Sequence, residues 1–538
     1  MRDKLYKNRY MIWYMLCFFA LGVIDQRRST AEGAIQMAAA NCVGIVLAAM
    51  VVPSLNFRKF KEKIYLVWSV LSLLVGVGAI VWGSRHWLYR GQWVTGVLNV
   101  VVWGYLVIYV LREWRSLPVG KRLRQPFFWC VIILFLLLFF TAQGGPVHLW
   151  MLLIFGGFYL IGIPKERRED FNNGLLNGMI LWFFVLQIIA FGFRPYDYVR
   201  YRGLYTSPTQ SGVFYMLAYC AFLCKWLYAK EKKTRRIITY LYFFLAAGCI
   251  SFLLFTGSRS SLMGAAMATL IIFVLYDIVH KKSFYRWLLH LAVLGMCVAI
   301  SFPMVYGTIR YLPTVLHHPV WFEGEYTEWG SVRSFDPWNS ERYISFEKAI
   351  EYNFGRILKV LGIDIRRNTE KVQGMVGLLK VYAAEAIPRG GSPENPFVGE
   401  DFDRRNAVDV RRVIYQFYAG NLNLWGHSDS DFYLLEDLVL SHPHNLLLHI
   451  AYNHGVVAGL LFLVLNLYTI FSFAVRSFKK LPGESWVWLA LYIAVFFFGM
   501  TEMALVSGTI TWLFIYLGFC FAGEDSRQIL YLPFKKGS

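Results

Sequence analysis

The sequence predicts an all-α, polytopic membrane protein with about fourteen transmembrane helices and one large extracytoplasmic loop between the eleventh and the twelfth. Three observations support this fold class. Hydrophobic residues make up 57% of the 538-residue chain, whereas soluble domains have about 45–50%. The mean hydropathy is +0.45. Long runs without charged residues recur along the chain, as a helix in hydrocarbon requires.

A window of about 20 residues predicts the spans one by one. Their approximate bounds are 10–24, 34–54, 64–83, 92–111, 127–143, 147–163, 174–193, 211–229, 237–256, 261–279, 284–303, 445–474, 485–501 and 504–522. The run 445–474 is long, which a tilted span or a partly interfacial first turn would explain. We therefore predict a membrane domain at 1–303, a loop module at 304–444, and a membrane domain with a cytoplasmic tail at 445–538.

The distribution of charge predicts the orientation. The chain has 54 Lys and Arg against 34 Asp and Glu, a formal net charge of +20. Connections on one side carry clustered Lys or Arg, for example 55–63, 112–125 and 230–236, whereas Gln143–Pro146 on the other side carries none. The positive-inside rule then places both termini in the cytoplasm. Because orientation accounts for most of the net charge, a nucleic-acid-binding protein is not indicated.

Cysteines and acidic pairs do not indicate a metal site. All eight cysteines fall in apolar runs and none lies in the large polar loop, so neither a disulfide framework nor a zinc site is expected. Asp401–Asp403 and Asp429–Asp431 have the D-x-D form that binds divalent ions in some transferases, but in a charged loop this form arises easily by chance. We expect neither a metal nor a cofactor.

The most informative stretch is Ser441–Asn445, with the sequence SHPHN, directly before the twelfth apolar run. Proline restricts the residue before it and fits the first turn of a helix, so His442 and His444 are predicted at a membrane–water boundary. An imidazole there can accept a proton near neutral pH. A single histidine at such a position is more often structural, but two of them favour function. His449 and His454, deeper in the run, are interpreted as packing residues.

Arginines on the outward side are the second signal, because orientation does not require positive charge there. Arg200 and Arg202 lie in the stretch 200–209 before a span, and Arg259 lies in the small-residue turn 256–261. Arginine binds phosphate through a planar, permanently charged fork, and a helix start also favours anions. The alternative is an arginine that extends to the head-group layer. We interpret the three arginines as candidate ligands of a phosphorylated substrate.

The order of these features resembles the O-antigen ligase / O-antigen polymerase family of bacterial envelope glycosyltransferases. The resemblance covers about 195–475. The family pattern comprises R-x-G with a nearby Pro, a Ser–Arg turn, a large outward loop entered through a helix with an Arg, and a His–Asn pair before a Gly; here the Arg and Gly are adjacent, or spaced as Arg200 and Gly203. The matching residues here are Arg202-Gly203 with Pro208, Ser258-Arg259, Arg342, and His444-Asn445 with Gly455.

The resemblance implies a metal-independent, inverting transferase at the outer face of the bacterial cytoplasmic membrane. Its donor would be a glycan on undecaprenyl diphosphate, its acceptor a hydroxyl of a glycan or lipid, and its surroundings membrane lipid. His444 would be the general base, and Arg202 and Arg259 would stabilise the departing lipid diphosphate. Further substrate-binding candidates are Arg200, Arg342, His442 and Asn445.

Two other functions remain open. A flippase for lipid-linked glycans would need polar residues at mid-membrane and repeated halves, whereas the spans carry few interior charges and show no evident duplication. A sensor or scaffold without catalysis is the second alternative. Within the family, the sequence does not choose between a ligase, a polymerase and an enzyme that moves glycans onto protein.

Overall fold

A computed structural model describes residues 8–29, 33–84, 90–115, 117, 119–141, 146–192, 194–197, 200–283, 285–316, 320–323, 333–334, 346, 350, 407–428, 432–435, 438–440, 443–478, 484–502 and 509–523. In this part of the chain nearly all regular structure is α-helical. The predicted all-α class is therefore confirmed.

The helices follow the predicted apolar runs, and each of those fourteen runs contains at least one of them. Their bounds are α1 Arg9–Ser29, α2 Gly33–Val51, α3 Lys63–Ser84, α4 Arg90–Arg112, α5 Val119–Leu123, α6 Pro126–Phe140, α7 Pro146–Ile161, α8 Arg168–Gly192, α9 Pro208–Glu231, α10 Arg236–Thr256, α11 Arg259–Val279, α12 Arg286–Val315, α13 Ala407–Gly420, α14 Leu446–His454, α15 Val456–Phe478, α16 Glu484–Gly499 and α17 Ile510–Gly523.

Eight helices within the described residues are long and apolar enough to cross a membrane, namely α2, α4, α8, α9, α10, α11, α12 and α15. Shorter apolar helices include α6, α7, α16 and α17 and part of α3. The chain is thus a multi-pass membrane protein by length and composition. The total of about fourteen spans remains a prediction.

The predicted twelfth span at 445–474 is not one helix. It divides at Gly455, whose φ of 91° is open to glycine and disfavoured for other residues. A Cβ at this position would lie 2.0 Å from the carbonyl oxygen of Leu424. The next amide, of Val456, donates to the carbonyl of Asn423 at 2.9 Å. Where α14 ends, the segment directly after α13 therefore supplies the backbone hydrogen-bond partner. Mean hydropathy does not reveal such a break in a helix.

Short strands were not predicted, because their segments are too short for an alternating pattern to be recognised. Four of them form a sheet in the order β2-β1-β3-β4, and a separate antiparallel pair is formed by β5 and β6. Their bounds are β1 Arg194–Asp197, β2 Arg200–Tyr201, β3 Val320–Glu323, β4 Arg333–Ser334, β5 Phe432–Leu435 and β6 Leu438–Leu440. Because β1 and β3 are parallel neighbours, the sheet joins the segment after α8 to the segment after α12.

Helix α9 lies at the centre of the bundle. In its most apolar stretch 94% of the residues are buried, compared with 28% in the corresponding stretches of α4 and α12. It packs against α8, α10, α11 and α16. A helix that is apolar on all sides is expected in such an interior position. The start of α9 is consequently fixed by its neighbours, which matters because candidate residues lie directly before it.

One end of the bundle, called here the basic end, contains the connections 52–62, 113–125, 162–167 and 232–235. Ion pairs join these connections to each other and to the helices. Arg112 approaches Glu62 at 2.6 Å.

The opposite end, called here the site end, contains the connection 202–207, the turn 257–258 and residues 500–502. Gln26, near the end of α1, donates to the carbonyl of Leu204 at 2.7 Å. The first amide of α17, that of Ile510, donates to the Asp25 carboxylate at 2.9 Å. The connections at this end are therefore held to the helices by hydrogen bonds.

Candidate functional site

His444 and Glu502 form a close imidazole–carboxylate pair at the site end. The Nδ1 atom of His444 lies 2.8 Å from Oε1 of Glu502. The side chains are 30% and 19% exposed, respectively, so both are partly shielded but reachable. Residues 444 and 502 come from different parts of the chain, the first preceding α14 and the second following α16.

The Glu502 carboxylate determines which nitrogen of the His444 imidazole carries the proton. An ionised carboxylate only accepts hydrogen bonds, so Nδ1 of His444 must carry the proton. In the neutral ring the other nitrogen, Nε2, then carries the lone pair. A carboxylate that orients a histidine in this way is the arrangement found in hydrolase triads. His444 is thus held in the tautomer that can accept a proton through Nε2.

The backbone of His444 is in an uncommon conformation, with a φ of 49°. Two other described non-glycine residues, Lys233 and Lys281, also have positive φ, but each directly follows the end of a helix, where left-handed residues are frequent. His444 instead precedes a helix. Such a conformation costs free energy and is retained where the surroundings hold it, which motivates a functional hypothesis.

Asn445 is the residue that anchors this segment. Its side-chain oxygen accepts from the amide of Leu448 at 3.0 Å and so caps α14. Its Nδ2 atom donates to the carbonyl of Met500 at 2.9 Å. One side chain thus joins the start of α14 to the end of α16. Because Met500 lies two residues before Glu502, the same contact fixes both members of the imidazole–carboxylate pair.

The amphipathic helix α13 lies against the same segment. Its buried residues Val413 and Tyr418 pack with Tyr452 of α14. The hydroxyl of Tyr415 donates to the carbonyl of His444 at 3.5 Å. Burial raises the pKa of Tyr415; the positive charge of Arg411 opposes the rise and the Glu502 carboxylate adds to it. Tyr415 therefore remains a neutral donor beside the pair.

Two of the three predicted arginines lie on either side of the turn 257–258, Arg259 directly after it and Arg200 bonded to the residue before it. The Nε atom of Arg200 donates to the carbonyl of Thr256 at 2.8 Å, and Arg259 is exposed at the first residue of α11. The next residue, Ser260, donates through Oγ to the carbonyl of Thr501 at 3.3 Å. Thr501 precedes Glu502 in the chain, so this hydrogen bond connects the start of α11 to the segment that bears Glu502.

Arg202 has a different environment. It is only 8% exposed, and its Nη1 atom donates to the carbonyl of Thr206 at 3.1 Å. Its own carbonyl accepts from the hydroxyl of Ser211 in α9. The side chain is thus built into the connection that leads to α9. Its part in phosphate binding stays a prediction.

The starts of α9 and α11 approach each other closely. A Cβ on Gly212 would lie 2.5 Å from Cβ of Ser258 and 2.6 Å from Oγ of Ser261. Only glycine fits this contact without a shift. Helix starts present free amides and partial positive charge, so the two adjacent starts add to the positive potential of the arginines.

The remaining candidates are placed as follows. His442 and Arg342 lie outside the described residues. His449 contacts Asn453 within α14, and the buried His454 pairs through Nδ1 with Oγ1 of Thr141 at 2.7 Å. These contacts are those of packing residues. In the part of the chain that the structure describes, no group of three or more His, Cys, Asp or Glu is placed to bind a metal ion.

Sequence reasoning missed Glu502, Tyr415 and Arg411. Glu502 was noticed only within a short outward connection with little Lys. The available signal was a single acidic residue between two apolar runs, on the side where the histidines were expected. Tyr415 and Arg411 had no such signal, because they lie in a long polar loop.

Comparison with protein-family models found no match, and neither did comparisons with curated proteins and with solved structures.

Proposed function

We propose that the protein is a membrane glycosyltransferase of the O-antigen ligase / O-antigen polymerase type. It moves a glycan from undecaprenyl diphosphate to an acceptor hydroxyl at the outer face of the bacterial cytoplasmic membrane. In this proposal about fourteen helices cross the bilayer and both termini are cytoplasmic. The accumulation of Lys and Arg in the connections of the basic end supports this orientation. The site end then faces outward.

The chemical step follows from the imidazole–carboxylate pair. Nε2 of His444 takes the proton of the acceptor hydroxyl as that oxygen attacks the anomeric carbon of the donor. The new C–O bond forms on the face opposite the diphosphate, so the configuration inverts. The bond between the anomeric carbon and the diphosphate oxygen breaks, and the electron pair leaves with the lipid diphosphate. Glu502 stabilises the imidazolium that results.

The observation that carries the proposal is the hydrogen-bonded connection between a positioned base and a turn that bears an arginine. A positioned base, His444 with Glu502, is connected through Ser260 and Thr501 to the turn that bears Arg259. A transferase with an anionic leaving group requires both a base for the acceptor and positive charge for the leaving group.

In this proposal the arginines supply the positive charge that stabilises the leaving lipid diphosphate. Arg259 is exposed and its fork is available to the diphosphate. Arg200, anchored by its Nε atom on Thr256, supports the same turn and adds charge. The proposed substrate-binding set also includes Arg202, Arg342, His442 and Asn445. Asn445 contributes by positioning the His444–Glu502 pair through its two hydrogen bonds.

The test is a reconstituted reaction. Purified protein in proteoliposomes receives an undecaprenyl diphosphate-linked glycan and an acceptor glycan, and products are identified by mass spectrometry. We expect a new glycosidic product from the wild type and a loss of roughly 10²–10⁴-fold in rate for His444→Ala, with unchanged membrane abundance. His449→Ala, on the short helix that follows His444, is the matched control and should retain transfer. Equal rates for wild type and His444→Ala would contradict the proposal.

The same reaction separates the alternative. A flippase would change the leaflet in which the donor resides and leave its glycan unaltered. Moved but chemically unchanged donor, without product, would replace the transferase proposal with transport. The identity of the acceptor in the product would distinguish a ligase from a polymerase.

A further inference from the structure

A cleft opens on the side of the bundle formed by α2, α3 and α4. Its volume is about 480 Å³, within the range of about 300–1,000 Å³ usual for small-molecule sites. Its rim includes Met37, Val75 and Val100, which are 55%, 59% and 53% exposed. Because α4 and the neighbouring helix α2 have the length and composition of spans, the cleft opens toward lipid.

The interior of the cleft contains polar groups without partners. Asn99 of α4 is 1% exposed, and neither its amide nitrogen nor its amide oxygen has a hydrogen bond in the described structure. The hydroxyl of Ser72, from α3, is likewise unbonded. Asn99 lies against Gly44 of α2, but the carbonyl of Gly44 already accepts from Nε1 of Trp103 at 3.1 Å.

These groups lie at the middle of their helices. Asn99 is the tenth of the 23 residues of α4, and Ser72 is the tenth of the 22 residues of α3. At that depth the surrounding hydrocarbon supplies no water to satisfy them. Polar side chains inside a membrane are costly and are generally functional. A ligand that brings its own polar group into the cleft would remove the cost.

The chemistry of the cleft selects the class of ligand. Among the described residues no charged side chain lines it, so these residues do not compensate a phosphate at that depth. A partner helix about 10–12 Å across is too wide to reach its interior. The amide of Asn99, with its donor nitrogen and acceptor oxygen, and the hydroxyl of Ser72 both match a carbonyl or hydroxyl group. The remaining lining is mostly apolar, including Trp68 and Trp93, and matches hydrocarbon.

We propose that this cleft binds a neutral lipid that carries a carbonyl or hydroxyl group on an apolar body, with Asn99 and Ser72 as its hydrogen-bond partners. None of the residues that line the cleft belongs to the proposed transferase site, and this inference does not rest on the proposed transferase function. It gives the N-terminal helices a role beyond spanning the membrane.

The test uses dioleoylglycerol as the neutral probe, squalene as a hydrocarbon without a polar group, and dioleoylphosphatidic acid as an anionic lipid. Thermal unfolding of the full-length protein is followed in detergent. Dioleoylglycerol should raise the midpoint of the wild type, because a ligand that binds the folded state stabilises it. The other two probes should raise it less. Asn99→Leu should abolish the rise without lowering the lipid-free midpoint, because it removes groups that have no partner.

Ser72→Ala should reduce the rise, and Ser69→Ala should retain it. Ser69 lies one turn away on the same helix, but its hydroxyl already donates a hydrogen bond to the carbonyl of Tyr65 at 2.7 Å. This pair keeps the test decisive if Asn99→Leu fails to fold. An unchanged wild-type midpoint, an equal rise in Asn99→Leu, or an equal rise with squalene would each overturn the proposal. Specific self-association through Leu71 or Trp93 that occludes the cleft would assign it to a protein partner instead.

Discussion

The site end and the cleft differ in whether their polar side chains have hydrogen-bond partners within the protein. At the site end His444 bonds to Glu502, and Asn445 bonds to both α14 and the end of α16. In the cleft, neither Asn99 nor Ser72 bonds to a protein group. A site whose groups bond to each other is preorganised and loses geometry when one group is removed. A site with unbonded groups is complete only with a ligand, so removing one of them costs the empty protein little.

The largest expected effect concerns Glu502→Gln. The amide can donate to Nδ1 of His444 and so favour the wrong tautomer, as in hydrolase triads. We expect kcat for glycan transfer to fall by about 10²–10³-fold, with KM for the donor unchanged. Steady-state kinetics in proteoliposomes measure this. A rise in KM with full kcat would mean that Glu502 binds substrate and does not position the base.

The next effect concerns the helix break that supports the site. In Gly455→Ala the new methyl group would collide with the Leu424 carbonyl in a backbone conformation that alanine avoids. We expect a loss of about 3 kcal/mol in the free energy of unfolding. Gly78→Ala in α3 is the matched control, because nothing lies within 4 Å of the added Cβ. Similar stabilities of the two variants in a denaturation series would show that the break is not fixed as described.

A smaller effect separates the two bonds of Asn445. Asn445→Ala loses both the cap of α14 and the bond to Met500, and should cost about 1–2 kcal/mol. Asn445→Asp keeps an oxygen that caps the helix but loses the donor, so it should cost less. Unfolding free energies of the two variants measure the difference. If the aspartate variant were the less stable of the two, the capping role would be refuted.

The smallest effect compares two serines of α3 in the absence of added lipid. Ser69→Ala removes a bonded hydroxyl and should cost about 0.5–1.5 kcal/mol. Ser72→Ala removes an unbonded one and should cost nothing or stabilise slightly. Thermal midpoints of the lipid-free proteins test the contrast directly. An equal loss in both variants would remove the distinction between the two regions.

Much of the fold could be predicted from the sequence, because helices in lipid are long, apolar and uncharged. The failures have local causes. Gly455 lies within a continuous apolar run, and hydropathy contains no information about its backbone conformation. The eleventh predicted span, at 284–303, corresponds to helix α12, which continues to Val315. The predicted span ended earlier because Arg310 and other polar residues lower the mean hydropathy of that stretch. The boundaries of the loop module at 304–444 remain a prediction.

Individual site residues were predictable where residue type and position together carry information. His444 and Asn445 precede an apolar run, and Arg259 stands in a small-residue turn where orientation does not require positive charge. Glu502 was not predictable in its role, because it lies 58 residues from its partner and only folding brings them together. The unbonded state of Asn99 is equally invisible in the sequence.

In the proposed mechanism His444 acts as a base through its bond to Glu502, so the two residues work as a unit. A double-mutant cycle measures this coupling from the transfer rates of wild type, His444→Ala, Glu502→Gln and the double variant. We expect Glu502→Gln to lower the rate only when His444 is present, so that the double variant equals His444→Ala. A further loss of the same factor in the His444→Ala background would contradict it.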